Sequence, residues 1–282
     1  MKIQGSTSVV GLIGNPVTHS FSPPMHNAAF KKLGLDYVYV PFDVLPENLE
    51  NAIKGGSSLN IKGLNVTIPH KIQVMNYLDE IDEIAQLIGA VNTIDFKTLK
   101  GYNTDGIGAI KAIGEVTSIK NKKVVLAGAG GAARAISFYL AKEKPEEIVI
   151  LNRDVKKASK LSKDIIESKL TTNVKSDSIE EISKYLADAD ILINSTPLGM
   201  YPHIDDTPIA NAKIMHEDLV VNDIVYNPNE TVLIKEAIKA GATPVYGIKM
   251  LLYQGAESFK IWTGQEPPID VMEKALKETL NK

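Results

Sequence analysis

The sequence predicts an α/β protein built as two doubly wound units, and three observations predict it. Short, almost wholly apolar runs alternate with helix-like segments, the pattern of parallel strands covered on both faces. One of these runs leads through a glycine-rich turn straight into a helical pattern. At 282 residues the chain is long for a single core and suits two ordinary domains.

The strand candidates come in order as "VVGLIG" (9–14), "YVYVPF" (37–42) and "GLNVTI" (63–68). The second set is "KVVLAGA" (123–129), "EIVILN" (147–152), "DILINST" (190–196), "LVVNDIV" (219–225) and "TPVYG" (243–247). Helix-like segments lie between them, among them 131–143, 154–168 and 231–240. Runs so nearly continuous read as buried parallel strands. The polar, glycine-rich "GYNTDGIGAI" (101–110) marks a boundary, and the second unit begins near residue 122. From residue 248 on the chain is helical without a strand, so this tail is expected to pack back on the first unit. The expected domains are 1–105 with 250–282, and 106–249.

A hydrophobic fraction of 44% with 23% charged residues belongs to a folded globular chain. The net charge of −3 favours neither a nucleic acid nor an anionic membrane as partner. The absence of cysteine excludes disulfides, thiolate metal sites and thiol nucleophiles. The apolar run Val9–Gly14 is too short for a signal-peptide core, and no run nears the ~20 residues that span a bilayer. A cytoplasmic location is expected.

In "KVVLAGAGGAARAISFYLA" a strand-like run meets Gly128-Ala129-Gly130-Gly131-Ala132-Ala133 and then a helical pattern. This is a G-x-G-x-x-G/A fingerprint in the context it requires. Glycines let the backbone turn tightly and approach a pyrophosphate, whose charge rests on the helix N-terminus. A tight structural turn is the plainer alternative. The next strand of such a unit usually ends in Asp or Glu, which holds the ribose 2′-hydroxyl of NAD. Here it ends in Asn152 and Arg153, with Lys156 and Lys157 one turn into the next helix. A planar guanidinium suits a 2′-phosphate, so NADP is favoured over NAD. The chain has only two arginines, Arg134 and Arg153, and both fall in these motifs. Asp154 argues the other way, because a carboxylate beside a phosphate repels it.

Four polar clusters precede residue 106: "NPVTHSFSPPMHN" (15–27), "NVTIPHK" (65–71), "GAVNT" (89–93) and "GYNTDG" (101–106). Each sets Asn, Ser, Thr, Lys or Asp beside Gly or Pro at an expected strand end, where open α/β sheets bind ligands. Several hydroxyls and amides together suit a small polyhydroxylated molecule. Each also has a plainer reading: Ser20, Ser22 and Thr104 as helix caps, Asn92 as a turn former, His26 as a packed core imidazole.

These clusters, with "GAGGAARA", "NR", "NSTPLGM", "DIVYNP" and "MLLYQGA" in the same order, closely resemble the shikimate dehydrogenase family. The resemblance runs essentially end to end. It implies a substrate-binding domain and a Rossmann-type NADP-binding domain with a cleft between them. It implies a substrate site of Ser20, Ser22, Asn65, Thr67, Lys71, Asn92, Asp105, Tyr226 and Gln254. The cofactor site it implies is the Gly128–Ala133 turn with Asn152, Arg153 and Lys157, and Thr196, Ile224 and Gly247 near the nicotinamide. No metal is implied, and the oligomeric state is left open, a homodimer included. Asp154 and Lys157 depart from the commonest family pattern, which bears on NADP preference; Lys249, where glycine is frequent, reads as a surface change.

A carbonyl-reducing site needs a proton route and charge stabilisation for the developing alkoxide. Lys71 and Asp105 are the best ionisable candidates, the ammonium for the oxygen and the carboxylate to orient it. Three rivals compete with this reading: a non-catalytic NADP-binding module on the same fold, a glutamyl-tRNA reductase, and a quinate/shikimate dehydrogenase using NAD. The second needs a cysteine nucleophile, which this chain lacks. Ser22, where relatives that use quinate carry threonine, leans towards shikimate.

Overall fold

The central apolar runs become strands because both of their faces find cover: Gly63–Val66 and Ile191–Asn194 are buried at every position. The computed structural model describes residues 3–171 and 173–280. They fall into two units, one running to Thr104 and resuming at Leu252, the other being Asp105–Leu251.

Unit 1 contains β1 (Ser8–Gly14), α1 (Ser22–Leu33), β2 (Tyr37–Asp43), α2 (Leu49–Ser58), β3 (Gly63–Val66) and β4 (Glu80–Ile81). It continues with α3 (Glu83–Ile88), β5 (Thr93–Asp95) and β6 (Lys100–Tyr102). The sheet order is β2-β1-β3-β5-β6-β4. β1 pairs parallel with β2 and β3, whereas β5 pairs antiparallel with both β3 and β6. This sheet is therefore mixed rather than wholly parallel, because the few residues between β5 and β6 permit only a hairpin. Ile13, Leu64, Val66 and Ile94 of the strands pack with Leu49 and Ile53 of α2 in its core. β3 ends two residues before the expected Ile68. Its backbone bonding nevertheless runs on, from Thr67 N–H to Ile13 O at 2.9 Å and from Asn15 N–H to Ile68 O at 3.1 Å. Pro69, which has no amide hydrogen, ends that series.

Unit 2 holds α4 (Asp105–Gly114), β7 (Lys123–Ala127), α5 (Gly131–Lys142), β8 (Glu147–Asn152), α6 (Val155–Glu167) and β9 (Val174–Ser178). Then come α7 (Ile182–Leu186), β10 (Ile191–Asn194), β11 (Val220–Asp223), α8 (Val232–Lys239) and β12 (Thr243–Val245). Its sheet is parallel throughout, in the order β12-β11-β10-β7-β8-β9. The order therefore reverses between β7 and β10, the place where such sheets leave a crevice. α9 (Gly247–Thr263) begins in this unit; from Leu252 on it belongs, with α10 (Ile269–Leu280), to unit 1. Among the described residues, no helix is long and apolar enough to cross a membrane.

Candidate functional site

In unit 2 a cavity of about 430 Å³ opens where β7, β8 and β10 end, at the strand-order reversal. Gly128, Ala129, Gly130, Asn152, Arg153 and Thr196 line it together. Gly128 is held at φ +112°, and a Cβ there would stand 2.4 Å from Ser195 Oγ, so only glycine fits. No side chain caps the start of α5, which leaves its first amides for an anion. Gly131, Ala132, Ala133 and Lys157 do not line the cavity; Ala133 is on the buried face of α5 and Lys157 is exposed. Ile224 and Gly247 lie outside the lining but against each other, since a Cβ on Gly247 would reach Ile224 O at 2.6 Å. Ser195 and Leu198 join the lining, as residues of the quoted "NSTPLGM" to which no role had been assigned.

The end of the cavity at β8 carries no acid to receive a ribose 2′-hydroxyl. Asn152 turns its amide to Asp154 O at 3.0 Å, and Arg153 stands exposed at the rim. The Asp154 carboxylate caps α6, accepting from Lys156 N–H at 3.0 Å, which commits one of its oxygens to the helix. Arg134 does not add to this end: it pairs with Asp164 of α6 and lies over the Phe138 ring, bracing α5 against α6. The glycine turn, the uncapped helix and the exposed guanidinium fit a phosphorylated dinucleotide. Among the described residues no group of His, Cys, Asp or Glu could hold a metal ion.

Unit 1 gathers its candidates into a buried hydrogen-bond cluster. Asn65, 5% exposed, donates through Nδ2 to Asn92 O (3.2 Å), Thr93 Oγ1 (3.1 Å) and Ser258 Oγ (2.9 Å). A carbonyl only accepts, so this fixes the amide's orientation, and Tyr39 must donate its hydroxyl hydrogen to Asn65 Oδ1, 2.9 Å away. Asn92 Oδ1 accepts from Thr104 N–H at 2.7 Å, while its Nδ2 donates to Thr104 Oγ1 at 3.0 Å. The protein thus uses Asn65's donors itself, and a lone pair of Oδ1 is what the side chain offers a ligand. Burial pushes the Tyr39 phenol far above its ordinary pKa, with the Ser22 hydroxyl offsetting part of that. His26 stacks on Tyr39 with ring centroids 4.5 Å apart and planes within 2°. Burial holds that imidazole neutral, lowering its pKa to about 3.

Of the remaining candidates, Ser20 Oγ accepts from the Ser22 amide at 3.2 Å, in a loop-to-helix turn that no other side chain caps. Thr67 is half-buried, and its carbonyl accepts from the His70 amide at 2.9 Å. His70 is buried and donates Nε2–H to Val44 O at 2.7 Å, which pins the turn. Lys71, next in sequence, is half-buried, and its carbonyl accepts from Val91 N–H at 2.8 Å. Gln254 lies on the unit 1 part of α9, where its carbonyl accepts the Ser258 hydroxyl at 3.1 Å. Asp105 and Tyr226 belong to unit 2; Asp105 opens α4, and burial raises the Tyr226 phenol pKa. Tyr39 and Ser258 escaped the sequence reading, because neither sits in a glycine- or proline-marked turn.

Comparison with known proteins matches three family profiles along the chain. Residues 12–94 match the shikimate dehydrogenase substrate binding domain, 111–228 shikimate / quinate 5-dehydrogenase, and 247–277 the shikimate 5'-dehydrogenase C-terminal domain. A shikimate dehydrogenase (NADP(+)) of Methanobrevibacter smithii is 72% identical over 279 residues, covering 99% of both chains. A solved shikimate dehydrogenase in complex with NADP+ superposes with a TM-score of 0.94 at 55% identity, over 100% of this chain and 98% of that one. Shikimate 5-dehydrogenase of Listeria monocytogenes, solved with shikimate and NAD, gives a TM-score of 0.92 at 39% identity, over 97% and 98% of the two chains.

Proposed function

The chain belongs to the shikimate dehydrogenase family, and from that premise we infer its activity: reversible, NADPH-dependent reduction of 3-dehydroshikimate to shikimate. One observation carries the cofactor half of this reading, the cavity that sets a glycine turn, Arg153 and Thr196 around one space. Gly128–Gly130 receive the pyrophosphate, and Arg153 pairs with the 2′-phosphate. When bound, NADPH supplies the hydride.

The rest of the chemistry falls to the chain's own residues. Ser20 and Ser22 take the ring carboxylate, with Thr67, Asn65, Asn92, Tyr226 and Gln254 about the ring and its hydroxyls. Lys71 stabilises the negative charge that grows on the C3 oxygen and exchanges the proton there. Asp105 accepts from a substrate hydroxyl. Asn65 and Asn92 meet a ligand with orientations already fixed by Tyr39, Thr104 and Ser258, so no reorganisation is needed on binding.

The proposed setting is the cytoplasm, and sedimentation of the purified protein decides between a monomer and a homodimer. A spectrophotometric assay with shikimate and quinate, each offered NADP and NAD, tests the activity. Shikimate with NADP is expected to give the highest kcat/KM. No turnover of shikimate, or a preference for quinate with NAD, overturns the reading.

A further inference from the structure

A buried polar chain lies where β10 and β11 end. Asn194 and Asp223 are the last residues of these strands and face each other in register, 1% and 0% exposed. The Asp223 carboxylate accepts from the Val225 amide at 3.1 Å, from Asn194 Nδ2 at 3.0 Å and from the Thr231 hydroxyl at 2.6 Å. Asn194 Oδ1 in turn accepts from the Thr196 amide at 3.0 Å and the Thr196 hydroxyl at 2.7 Å.

The direction of every bond in this chain follows from two backbone amides, which can only donate. Val225 N–H makes Asp223 Oδ1 an acceptor whether or not the other oxygen holds a proton, so Asn194 must turn its NH₂ to it. Thr196 N–H independently requires the oxygen of the Asn194 amide on its own side. The Thr196 hydroxyl has one hydrogen, and it is spent on that oxygen. Thr196 Oγ1 therefore presents lone pairs to the cavity it lines, one of them only weakly engaged by Leu198 N–H at 3.4 Å.

Sheet order says which part of a dinucleotide meets Thr196. Arg153 stands at the end of β8 and the glycine turn at the end of β7, with β10 on the far side of β7. A dinucleotide with its 2′-phosphate at Arg153 and its pyrophosphate at Gly128–Gly130 lays its nicotinamide half over β10. We propose that Asp223 and Asn194 are positioning residues that commit Thr196 to accept a hydrogen bond, and that the group it selects is the carboxamide NH₂ of the nicotinamide. This rests on the reading of the cavity as a dinucleotide site.

Calorimetric titration with NADP+ and with its 3-acetylpyridine analogue, which keeps the carbonyl but lacks the NH₂, tests the proposal without turnover. The wild-type protein is expected to bind NADP+ roughly fivefold to tenfold more tightly than the analogue, the worth of one neutral hydrogen bond. Thr196→Val brings that ratio close to one, and Thr196→Ser keeps it. Asp223→Asn keeps it too, because the new carbonyl accepts from the same two donors, whereas Asn194→Ala takes away the oxygen that holds the Thr196 hydroxyl hydrogen and loses it. A ratio unchanged in Thr196→Val, or a folded Asn194→Ala protein with the wild-type ratio, overturns the proposal. Should Asn194→Ala fail to fold, the Thr196 pair decides. Failure of the wild-type protein to bind either dinucleotide would instead overturn the reading of the cavity.

Discussion

Ser258 Oγ lies 2.9 Å from Asn65 Nδ2, joining two residues 193 apart in sequence inside a fully buried cluster. The same hydroxyl meets Thr93 Oγ1 at 2.8 Å and donates to Gln254 O at 3.1 Å. Ser258→Ala leaves Asn65 with one acceptor fewer and takes a hydroxyl out of the buried network. The expected loss is about 1–2 kcal/mol of stability, read from the urea midpoint at constant m. The shikimate KM should rise while NADP+ affinity holds; a parallel fall in both would mean that the cluster supports the whole fold and not one site.

Arg153→Ala should weaken NADP+ by roughly 1.5–3 kcal/mol, tenfold or more, and leave NAD nearly untouched. Asp154→Thr should improve NADP+ binding, because threonine still caps α6 and a negative charge leaves the phosphate's surroundings. Titrating both cofactors into each variant checks this, and equal losses with both would show that Arg153 does not read the 2′-phosphate.

Lys71→Ala should lower turnover by about 10²–10⁴, the range for a lost acid–base group, with cofactor affinity little changed. Lys71→Arg should rescue only partly, since a guanidinium does not release its proton and has a different shape. Near-normal turnover with a raised shikimate KM would make the lysine a binding residue.

His26 and Asp223 tie stability to pH with opposite signs. An unfolded histidine gains its proton as pH falls through about 6.5, whereas buried His26 resists until about 3. Between those values the unfolded chain binds more protons, so stability falls with acidification, by up to about 1.4 kcal/mol per pH unit. Asp223 has its pKa raised by burial, so it favours the native state at low pH and loses that contribution as pH rises through the raised value. Urea unfolding across a pH series should show the acid-side slope flattening in His26→Leu. In Asp223→Asn, the fall with rising pH above the ordinary carboxylate range should disappear.

Much of the fold was legible because its signals are local. The eight apolar runs all contain strands, and Gly128 announced a turn that only glycine can make. The strands that gave no signal lack a long apolar run. β5 and β6 have three residues each, and β9, "VKSDS", is an edge strand whose only buried residue is Val174. The candidate site divides the same way. Asn65 heads a cluster marked by Pro69, and Asn92 and Arg153 stand in turns, so chemistry and position could be read together. Tyr39, Ser258 and Asp223 come from the middle of a strand, the fourth turn of a helix and a strand's last position. Only tertiary packing shows what they touch, and a list of residues carries no bond directions.

The chain's passage out of unit 1 at Thr104 and back into it at Leu252 bears on its assembly during synthesis. A ribosome delivers residues from the N-terminus, and domains fold as their sequences emerge. Unit 2 is contiguous, so it can close as soon as Leu251 has emerged. Unit 1 is begun first and finished last: until the final segment emerges, Trp262 cannot give its indole N–H to Ile94 O and Asn65 has no Ser258. The strands around the Asn65 cluster therefore wait with an uncovered apolar face through the whole translation of unit 2. In that interval the nascent chain is open to chaperones and to aggregation, and the wait is imposed by the order of the gene.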